Sequence, residues 1–545
     1  MSVIPEEYLP PKDHLSDRIF PLPEVRIADD INLGQYFLDR HILAGRGSNI
    51  AIFYKDQKIT YKELQKLVNR CANAFRNLGI EKNDRVMVRL PNRPEFIIAV
   101  FACWKIGAIP VLTHHLLKAE DIIFRANDSE SKAIVVSSDV FSEVGAALGE
   151  CKTIETVVVC GEKIEGYIFL DSMLKGQPDD VQLAETTRND WARIIYSSGT
   201  TGKPKGILNT LGDVVTAITV ANHYLIKLKP EDILGNHPAF TFAFGFFSIL
   251  FMGISGCSLS IIDRSDVKAV FETIEKHRVT VLRCVPTAYR MMLQSADVAE
   301  NKYNLNSLRL CQSAGEWLPA TTAIEWKKKY GVQILDSVGS GDFHSIISHF
   351  VGMPDEKLDS SGMPLPGLDT RLVDDNFKKV NRGMAGELIF RAPWGMQYWR
   401  RPDVQKNSVI NGWNRTGLVF EEDEDGYLWL KGRNDDMIVS AGYKIPGGEV
   451  ENVLLTHPAV HEAAVVSKPD AVRGNIVKAY VVLAEGVEPS EKLTKKLKDY
   501  VKEKLQPYKY PREIEFVEGE LLPRTETGKI RRFKLKEKEI EHSKN

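Results

Sequence analysis

Apolar residues along most of the chain follow helical and strand-like spacings in alternation. Residues 59–80 (ITYKELQKLVNRCANAFRNLGI) place apolar side chains on one helical face, with Thr60 as the predicted N-cap and Gly79 near the predicted end. Short Val/Ile runs at residues 131–138 (SKAIVVSS) and 154–160 (IETVVVC) are typical of buried parallel strands. The alternation predicts a large α/β body with several sheets.

The pattern changes near residue 390. Residues 386–417 are rich in strand and turn residues, and residues 421–436 (EEDEDGYLWLKGRNDD) predict a hairpin. From Asn434 onwards, helical and strand-like runs alternate again to the end of the chain. We therefore expect two domains, residues 1–433 and 434–545, and we expect the last residues, 537–545, to form a solvated tail.

One uncharged segment, residues 238–262 (PAFTFAFGFFSILFMGISGCSLSII), is long enough to span a bilayer. Gly253, Ser255 and Gly256 interrupt it, which favours a buried helix, a turn and a short strand. A single span would also separate Lys203 from the C-terminal motifs described below. We therefore predict that the segment does not cross a membrane.

Composition narrows the class of protein further. The 545 residues include 71 Lys+Arg and 73 Asp+Glu, so the net charge of −2 gives no reason to expect nucleic acid or an anionic membrane as the main partner. The seven cysteines are scattered without a C-x-x-C pair, which favours reduced thiols and argues against a structural zinc site. The first residues lack the apolar core of a signal peptide, so we expect a cytoplasmic protein.

The stretch at residues 196–206 (YSSGTTGKPKG) follows an apolar strand-like run. An ordinary surface turn is one interpretation. The alternative is anion binding, because glycines let backbone N–H groups approach a phosphate while hydroxyls and lysines add donors and charge. Gly199 and Gly202 are too close together for the G-x-x-x-x-G-K-[ST] nucleotide loop, so any nucleotide here requires a different architecture.

Four further stretches accompany this loop, at residues 313–319 (SAGEWLP), 336–349 (DSVGSGDFHSIISH), 431–451 (KGRNDDMIVSAGYKIPGGEVE) and 522–532 (LPRTETGKIRR). In this order and at these separations, the five stretches resemble the acyl-adenylate-forming (AMP-binding) superfamily, from about residue 30 to residue 536. Segments such as PAFTFAFG, PTAYRMML and SAGEWLPATT are most similar to those of the benzoate–CoA and 2-aminobenzoate–CoA ligases.

The resemblance implies a large multi-sheet N-terminal α/β domain followed by a small, mobile C-terminal α/β domain. It also implies an ATP-dependent acid–CoA ligase that uses Mg²⁺ and coenzyme A. Such an enzyme joins a carboxylic acid, here an aromatic one, to AMP with release of pyrophosphate, and then transfers the acyl group to CoA. No nucleic acid partner is implied, and a homodimer is one assembly consistent with the family.

The resemblance assigns roles to particular residues. The catalytic residues are Lys529, Asp342 and Thr200, of which Asp342 and Thr200 bind the metal. Asp435 is the hinge residue, and Gly442 lies on the CoA path. The phosphate-binding residues are Ser197, Ser198, Gly199, Thr200, Thr201, Gly202, Lys203, Lys205 and Gly206. The nucleotide-binding residues are Ser313, Ala314, Gly315, Glu316, Asp336, Ser337, Val338, Gly339, Ser340, Leu418 and Arg433. The acyl-pocket residues are Ala239, Phe240, Phe242, Phe244, Gly245, Gly339 and His344, although most of the five phenylalanines from 240 to 247 are expected in the core.

The chain departs from the family pattern at two positions. The sequence SGD, with Gly341 and Asp342, stands where the family has Ser/Thr-Thr-Glu. Leu418 stands where the family has an aspartate that binds the ribose, and a leucine side chain cannot accept a hydrogen bond. Glu421 or Glu422 is a candidate replacement.

Two other functions remain open at this stage. The first keeps adenylation but uses a fatty or branched acid, or a carrier-protein thiol in place of CoA. The second, prompted by Gly341 and Leu418, is a relative that binds nucleotide or acyl ligand with little turnover.

Overall fold

The computed structural model describes residues 4–197, 204–264, 266–295, 302–440, 443–470, 473–524 and 530–542. Among these, residues 4–197, 204–370 and 390–414 form one compact unit, and residues 371–389 and those from 415 onwards form a second. The second unit therefore includes residues upstream of Asn434, where the sequence predicts the joint. That domain boundary stays a prediction.

The α-helices of the described residues occur in both units and are numbered here in chain order. They are α1 Arg40–Leu43, α2 Tyr61–Asn77, α3 Pro94–Ile106, α4 Ala119–Ser129, α5 Phe141–Ala147, α6 Leu170–Leu174, α7 Leu211–Ala221, α8 Ala243–Ser255, α9 Val267–His277, α10 Pro286–Gln294, α11 Ala320–Tyr330, α12 Pro402–Ser408, α13 Gly447–Leu455, α14 Glu491–Lys504 and α15 Arg532–His542.

The strands are short in the first unit and longest near the C-terminus. They are β1 Ile50–Tyr54, β2 Gln57–Thr60, β3 Arg85–Arg89, β4 Ile109–Leu112, β5 Ser131–Ser137, β6 Thr156–Cys160, β7 Ile168–Phe169, β8 Trp191–Ser197, β9 Lys205–Thr210, β10 Ile233–Asn236, β11 Ser258–Ile261, β12 Val281–Arg283, β13 Leu310–Ala314, β14 Ile334–Ser340, β15 His344–Ser348, β16 Met363–Pro364, β17 Asp369–Val373, β18 Ala385–Arg391, β19 Gln397–Tyr398, β20 Val409–Ile410, β21 Trp413–Glu422, β22 Leu428–Arg433, β23 Met437–Ser440, β24 Tyr443–Pro446, β25 Val460–Asp470, β26 Gly474–Leu483 and β27 Glu513–Phe516.

Two large sheets dominate the first unit. One has the strand order β16-β15-β14-β13-β12-β10-β11-β1-β2, and the other has the order β19-β9-β8-β4-β3-β5-β6-β7. Strands β10 to β14 pair in parallel, as do β3 to β8, which confirms the prediction of an α/β body with several sheets. Three further sheets have the orders β17-β18-β21-β20 with β22 on β21, β23-β24 and β25-β26-β27.

Helix α2 begins where the sequence predicts. The Thr60 side chain accepts a hydrogen bond from the backbone N–H of Glu63, and the Glu63 carboxylate accepts one from the N–H of Thr60, so the two residues form a capping box. Gly79, with φ of 79°, follows the helix and takes a conformation that disfavours other residues.

The uncharged segment at residues 238–262 forms α8 and β11, which confirms the predicted helix, turn and strand. Gly256, with φ of 78°, ends α8 after 13 residues. Most side chains from Gly245 to Gly253 are buried within the first unit. Among the described helices, none combines the length and the apolar character needed to cross a membrane.

The second unit has its own apolar core. Helices α13 and α14 pack on the β25-β26-β27 sheet, and Val450, Leu454, Leu497 and Val501 are buried there. The predicted hairpin is confirmed, because β21 and β22 pair antiparallel with Glu422 opposite Leu428.

The prediction of a solvated tail is wrong at Glu539, whereas residues 537, 538, 541 and 542 are exposed as expected. Helix α15 runs to His542, and Glu539 on this helix is 1% exposed. Lys478 on β26 donates to Glu539 Oε1 at 2.8 Å, and the Tyr480 hydroxyl donates to the same oxygen. The burial of Glu539 could not be predicted from the local sequence, because its partners lie about sixty residues away along the chain.

Candidate functional site

The predicted phosphate loop connects two antiparallel strands. Strand β8 ends at Ser197 and β9 begins at Lys205, and these two residues are register partners. Gly206 is buried against Trp399, so a Cβ there would lie 3.1 Å from the Trp399 Cβ. Residues 198–203 of this loop lie outside the described part of the chain, as do the predicted catalytic and CoA-path residues of the second unit. These undescribed residues are Ser198, Gly199, Thr200, Thr201, Gly202, Lys203, Gly442 and Lys529.

The predicted nucleotide-binding residues of the first unit lie together at the carboxyl ends of β13 and β14. Ser313 is the register partner of Asp336, and Ala314 is the partner of Ser337. Open parallel sheets bind ligands at this edge of their strands. Gly315 follows with φ of 94°, and the Glu316 carboxylate accepts a hydrogen bond from Thr287 Oγ1 at 2.7 Å. Val338, Gly339 and Ser340 complete β14.

Asp336 has an unusual environment for a carboxyl group. It is 6% exposed, and burial raises its pKa to about 7 because the charged form loses its hydration. A carboxyl group that changes charge near neutral pH is typical of ligand-binding sites, although buried structural groups also show it.

Asp342, the predicted metal ligand, is held by two hydroxyl groups. Its Oδ2 accepts from the buried Tyr398 hydroxyl at 2.7 Å, and its Oδ1 accepts from Ser340 Oγ. A Cβ at Gly341 would lie 3.1 Å from Ile207 Cδ1, a tight contact, so the hydroxyl residue implied by the resemblance would require a small shift of the Ile207 side chain. Among the described residues, no three His, Cys, Asp or Glu side chains come together as a metal site.

The aromatic residues of the predicted acyl pocket divide between core and pocket positions. Phe240 is buried against Phe96, with ring centroids 5.5 Å apart, and belongs to the core. Phe242 is partly exposed and stacks on His114 at 4.8 Å. Phe244 is partly exposed and lies 4.2 Å from the guanidinium carbon of Arg283.

Two glycines of the predicted pocket occupy positions where no side chain fits. A Cβ at Gly245 would collide with the carbonyl oxygen of Ala239, so the first turn of α8 requires glycine at this position. A Cβ at Gly339 would collide with the carbonyl oxygen of His344 across the β14–β15 hairpin. His344 itself has φ of 56°, which is a strained conformation for a residue other than glycine.

His344 belongs to a buried polar network. It is 2% exposed and lies between the rings of Phe247 and Trp394, at 5.4 and 5.8 Å. Asn209 Nδ2 lies 3.5 Å from His344 Nε2, and Asn209 Oδ1 accepts a hydrogen bond from Arg193 Nε at 2.9 Å. Burial holds the pKa of His344 well below its usual range, and the positive charge of Arg193 acts in the same direction. His344 is therefore neutral at pH 7.

The sequence interpretation missed four residues of this region: Arg193, Asn209, Arg283 and Tyr398. The one signal available for the two arginines was a single charge inside an apolar strand, in WARIIYS and in VLRCV. For Asn209 and Tyr398 the sequence gave no signal, since their partners are far away along the chain.

The predicted residues of the second unit lie on β21, β22 and the turn that follows. The backbone N–H of Leu418 donates to Thr416 Oγ1 at 3.0 Å, and Leu418 is the register partner of Arg433. Asp435 lies in a short 3₁₀ turn, Asn434–Asp436. The nearby Glu387 is 7% exposed and accepts two hydrogen bonds from Arg415, at 3.0 and 2.5 Å.

The fold is that of an α/β protein, and it brings the predicted nucleotide-binding residues of the first unit to one edge of a parallel sheet. The model of the AMP-binding enzyme family matches residues 39–399, and that of the AMP-binding enzyme C-terminal domain matches residues 449–529. The chain therefore belongs to the AMP-binding enzyme family.

Individual relatives align with this chain over almost their whole length. A benzoate–CoA ligase of Thauera aromatica is 34% identical over 520 residues, which cover 94% of this chain and 97% of that protein. The crystal structure of the anthranilate CoA ligase AuaEII in complex with anthranoyl-AMP has a TM-score of 0.87 at 32% identity, covering 96% of this chain and 100% of that one. A benzoate CoA ligase from Burkholderia xenovorans LB400 has a TM-score of 0.82 at 28% identity, covering 93% and 100%. These similarities confirm the predicted family and the acyl-adenylate-forming fold.

Proposed function

We propose that this enzyme is an ATP-dependent aromatic acid–CoA ligase. The observation that carries the proposal is the similarity, over nearly the full length of both chains, to a benzoate–CoA ligase and to an anthranilate CoA ligase in complex with anthranoyl-AMP. The partly exposed rings of Phe242 and Phe244 support a flat aromatic acid, because stacked and edge-on rings favour such a ligand.

The chemistry requires two half-reactions. A carboxylate is a poor electrophile, so it first attacks the α-phosphorus of ATP, and pyrophosphate leaves. A thiol then attacks the acyl-AMP at its carbonyl carbon and expels AMP. In this proposal the loop at residues 197–206 holds the β- and γ-phosphates, and Lys529 stabilises the charge that develops near the α-phosphate. Gly442 leaves space for the pantetheine arm of CoA.

Mg²⁺ fits the residues that are present. Mg²⁺ is commonly held by one or two carboxylates together with substrate phosphates, and Asp342 supplies a carboxylate beside two hydroxyl groups. Asp342 and Thr200 would hold the ion, which would neutralise phosphate charge. Tyr398 and Ser340 fix the orientation of the Asp342 carboxylate. The cytoplasmic location, the homodimer, the hinge at Asp435 and the domain boundary after residue 433 remain predictions from the sequence.

The experiment is ATP–pyrophosphate exchange with a panel of acids, followed by CoA-dependent release of AMP. Aromatic acids, including benzoate and aminobenzoates, should give a higher kcat/KM than octanoate or acetate. CoA should release AMP only when the acid is present. If a straight-chain acid gives the highest kcat/KM in the panel, the proposal is wrong. If exchange occurs but CoA does not release AMP, the acyl group has an acceptor other than CoA.

A further inference from the structure

The buried guanidinium of Arg193 has donors without acceptors. Arg193 is 0% exposed, and its Nε donates to Asn209. Its two terminal nitrogens, Nη1 and Nη2, find no hydrogen-bond partner among the residues that the structure describes. The Phe246 ring lies 4.6 Å from the guanidinium carbon, but a ring contacts the face of the guanidinium and leaves the N–H groups at its edge unpaired.

Arg89 shows how this fold satisfies the terminal nitrogens of a buried arginine, although its Nε has no partner among the described residues. It is equally buried, and its Nη1 donates to the carbonyl oxygen of Val140 at 2.8 Å. Its Nη2 donates to the carbonyl oxygens of His115 and Leu117, at 2.6 and 2.9 Å. The terminal nitrogens of Arg89 are therefore satisfied within the fold, whereas those of Arg193 are not.

Arg193 also lacks a counter-ion in the described part of the chain. A buried charge is costly unless a partner of opposite charge and further hydrogen bonds compensate for its lost hydration. Burial lowers the pKa of Arg193 to about 9, and no carboxylate opposes that effect. The side chain is still protonated at pH 7, so an uncompensated cation lies inside the first unit.

A second buried cation, Arg283, also contacts a phenylalanine of helix α8. Arg283 is 1% exposed, donates to Gln312 Oε1 at 2.8 Å and to Ser248 Oγ at 2.5 Å, and forms no ion pair with any described residue. It contacts Phe244, a predicted pocket residue, at 4.2 Å. Arg193 and Arg283 thus contact two different phenylalanines of the first turns of α8.

The position of Arg193 places it away from the phosphates. It lies four residues before Ser197 on the same face of β8, which is about 13 Å along a strand. Through Asn209 it is next to His344, a predicted pocket residue. Under the proposed function, a ligand group that contacts Arg193 is therefore a different group from the reacting carboxylate, which must reach the α-phosphate.

We propose that the acid activated by this enzyme carries a second anionic group, and that Arg193 binds this group through Nη1 and Nη2. The substrate class is an aromatic acid with a second carboxylate. Arg193 is then a specificity-determining residue, and the ligand supplies the counter-ion that the fold lacks. The inference rests on the proposed function.

The test compares benzoate with the three benzenedicarboxylates in ATP–pyrophosphate exchange. At least one dicarboxylate should exceed benzoate in kcat/KM by about 100-fold, since a bidentate charge-assisted pair distinguishes the two acids. Arg193→Met should lower that ratio by a similar factor and leave kcat/KM for benzoate unchanged or higher. If Arg193→Met lowers both acids equally, Arg193 binds the reacting carboxylate and the inference is wrong.

Two further outcomes separate the inference from the function on which it rests. If benzoate or an aminobenzoate is used better than every dicarboxylate, the inference fails while the proposed function stands. If no acid of either kind supports exchange, the proposed function fails and the inference falls with it.

Thermal unfolding gives a readout that is independent of turnover. The substitution removes an uncompensated charge but also leaves the buried Asn209 Oδ1 without its donor, so the Tm of Arg193→Met should fall by less than that of Arg89→Met, and the preferred dicarboxylate should raise the Tm of the parent chain only. Arg89→Met, the matched control, should lower the Tm because three carbonyl oxygens lose their donors. A fall in Tm for Arg193→Met as large as that for Arg89→Met would assign Arg193 a structural role and overturn the inference.

Discussion

Leu418 removes the hydrogen-bond acceptor for the ribose that the resemblance implies on its strand, β21. The resemblance implies a ribose-binding aspartate here, and the two candidate replacements downstream already have partners. Glu421 pairs with Lys431 at 3.0 Å, and Glu422 pairs with Arg382 at 3.0 Å. Both ion pairs are partly exposed and therefore contribute little to stability. Either glutamate could leave its partner and bind a ligand with a small loss of free energy.

Restoring the aspartate should strengthen nucleotide binding. A shielded hydrogen bond from a ribose hydroxyl to a carboxylate contributes roughly 1.5–3 kcal/mol, so even one such bond in Leu418→Asp should tighten ATP binding by about ten- to a hundredfold. Calorimetric Kd values for ATP provide the measurement. Glu421→Gln and Glu422→Gln are the controls: if Leu418→Asp has no effect and one glutamine variant weakens ATP sharply, the acceptor has moved. If no variant changes the Kd, the ribose does not lie at this strand.

Asp336 makes stability depend on pH. Its pKa in the folded state is about 7, well above the ordinary value of 3.8, so between these two pH values the folded state holds a proton that the unfolded state has released. Its contribution to stability is therefore present at low pH and is lost as the pH rises towards 7.

Replacing Asp336 with asparagine should remove that dependence. Asp336→Asn should gain stability relative to the parent chain between pH 5 and pH 8, by an amount on the order of 2–3 kcal/mol at 1.4 kcal/mol per pKa unit. Urea unfolding at the two pH values measures the difference. Asp180→Asn, at an exposed position, should show the same difference from the parent chain at both pH values. If Asp336→Asn differs from the parent chain by the same amount at pH 5 and at pH 8, the Asp336 carboxyl is ionised at both pH values and the prediction is wrong.

At the scale of elements, the sequence predicts what depends on neighbouring residues and misses what depends on distant ones. The capping box at Thr60 and the glycine that ends α8 lie within their own segments, so both are predictable. Asp342 meets Tyr398 across 56 positions, and the partners of Glu539 lie about sixty positions away. Such contacts depend on sheet order, which periodicity does not determine. The site was therefore predictable at its strand ends, while its hydrogen-bond network was not.

The C-terminal helix α15 should stabilise the second unit through Glu539. Removing this carboxylate leaves Lys478, which is 4% exposed, with fewer partners, although Glu513 and Glu515 also contact it at 3.0 and 2.7 Å. Glu539→Ala should therefore lower the free energy of unfolding by about 3 kcal/mol, near the lower end of the range for a broken buried pair. Glu541→Ala, an exposed position on the same helix, should change it by less than about 0.5 kcal/mol. If Glu539→Ala and Glu541→Ala lower the free energy of unfolding by the same amount in denaturant, Glu539 does not stabilise the second unit through its buried hydrogen bonds.

At the scale of the whole molecule, one chain must serve two half-reactions with opposite needs. Adenylation needs a cation beside the attacking carboxylate and the α-phosphate, whereas thiol attack needs an open approach to the acyl-AMP. The proposed function assigns these needs to different residues of the same C-terminal region, Lys529 and Gly442. The two half-reactions should therefore be separable by mutation.

Lys529→Ala should slow adenylation by several hundredfold, because loss of a charge partner in the transition state costs on the order of 3–4 kcal/mol. It should leave CoA attack on synthetic acyl-AMP nearly intact. Gly442→Trp, which fills the proposed path of the pantetheine arm, should slow CoA attack and spare adenylation. Pyrophosphate exchange measures the first step, and release of AMP from the synthetic adenylate measures the second. If both variants lose both steps to the same degree, one rigid arrangement of this region serves the whole reaction, and the division of labour between Lys529 and Gly442 is wrong.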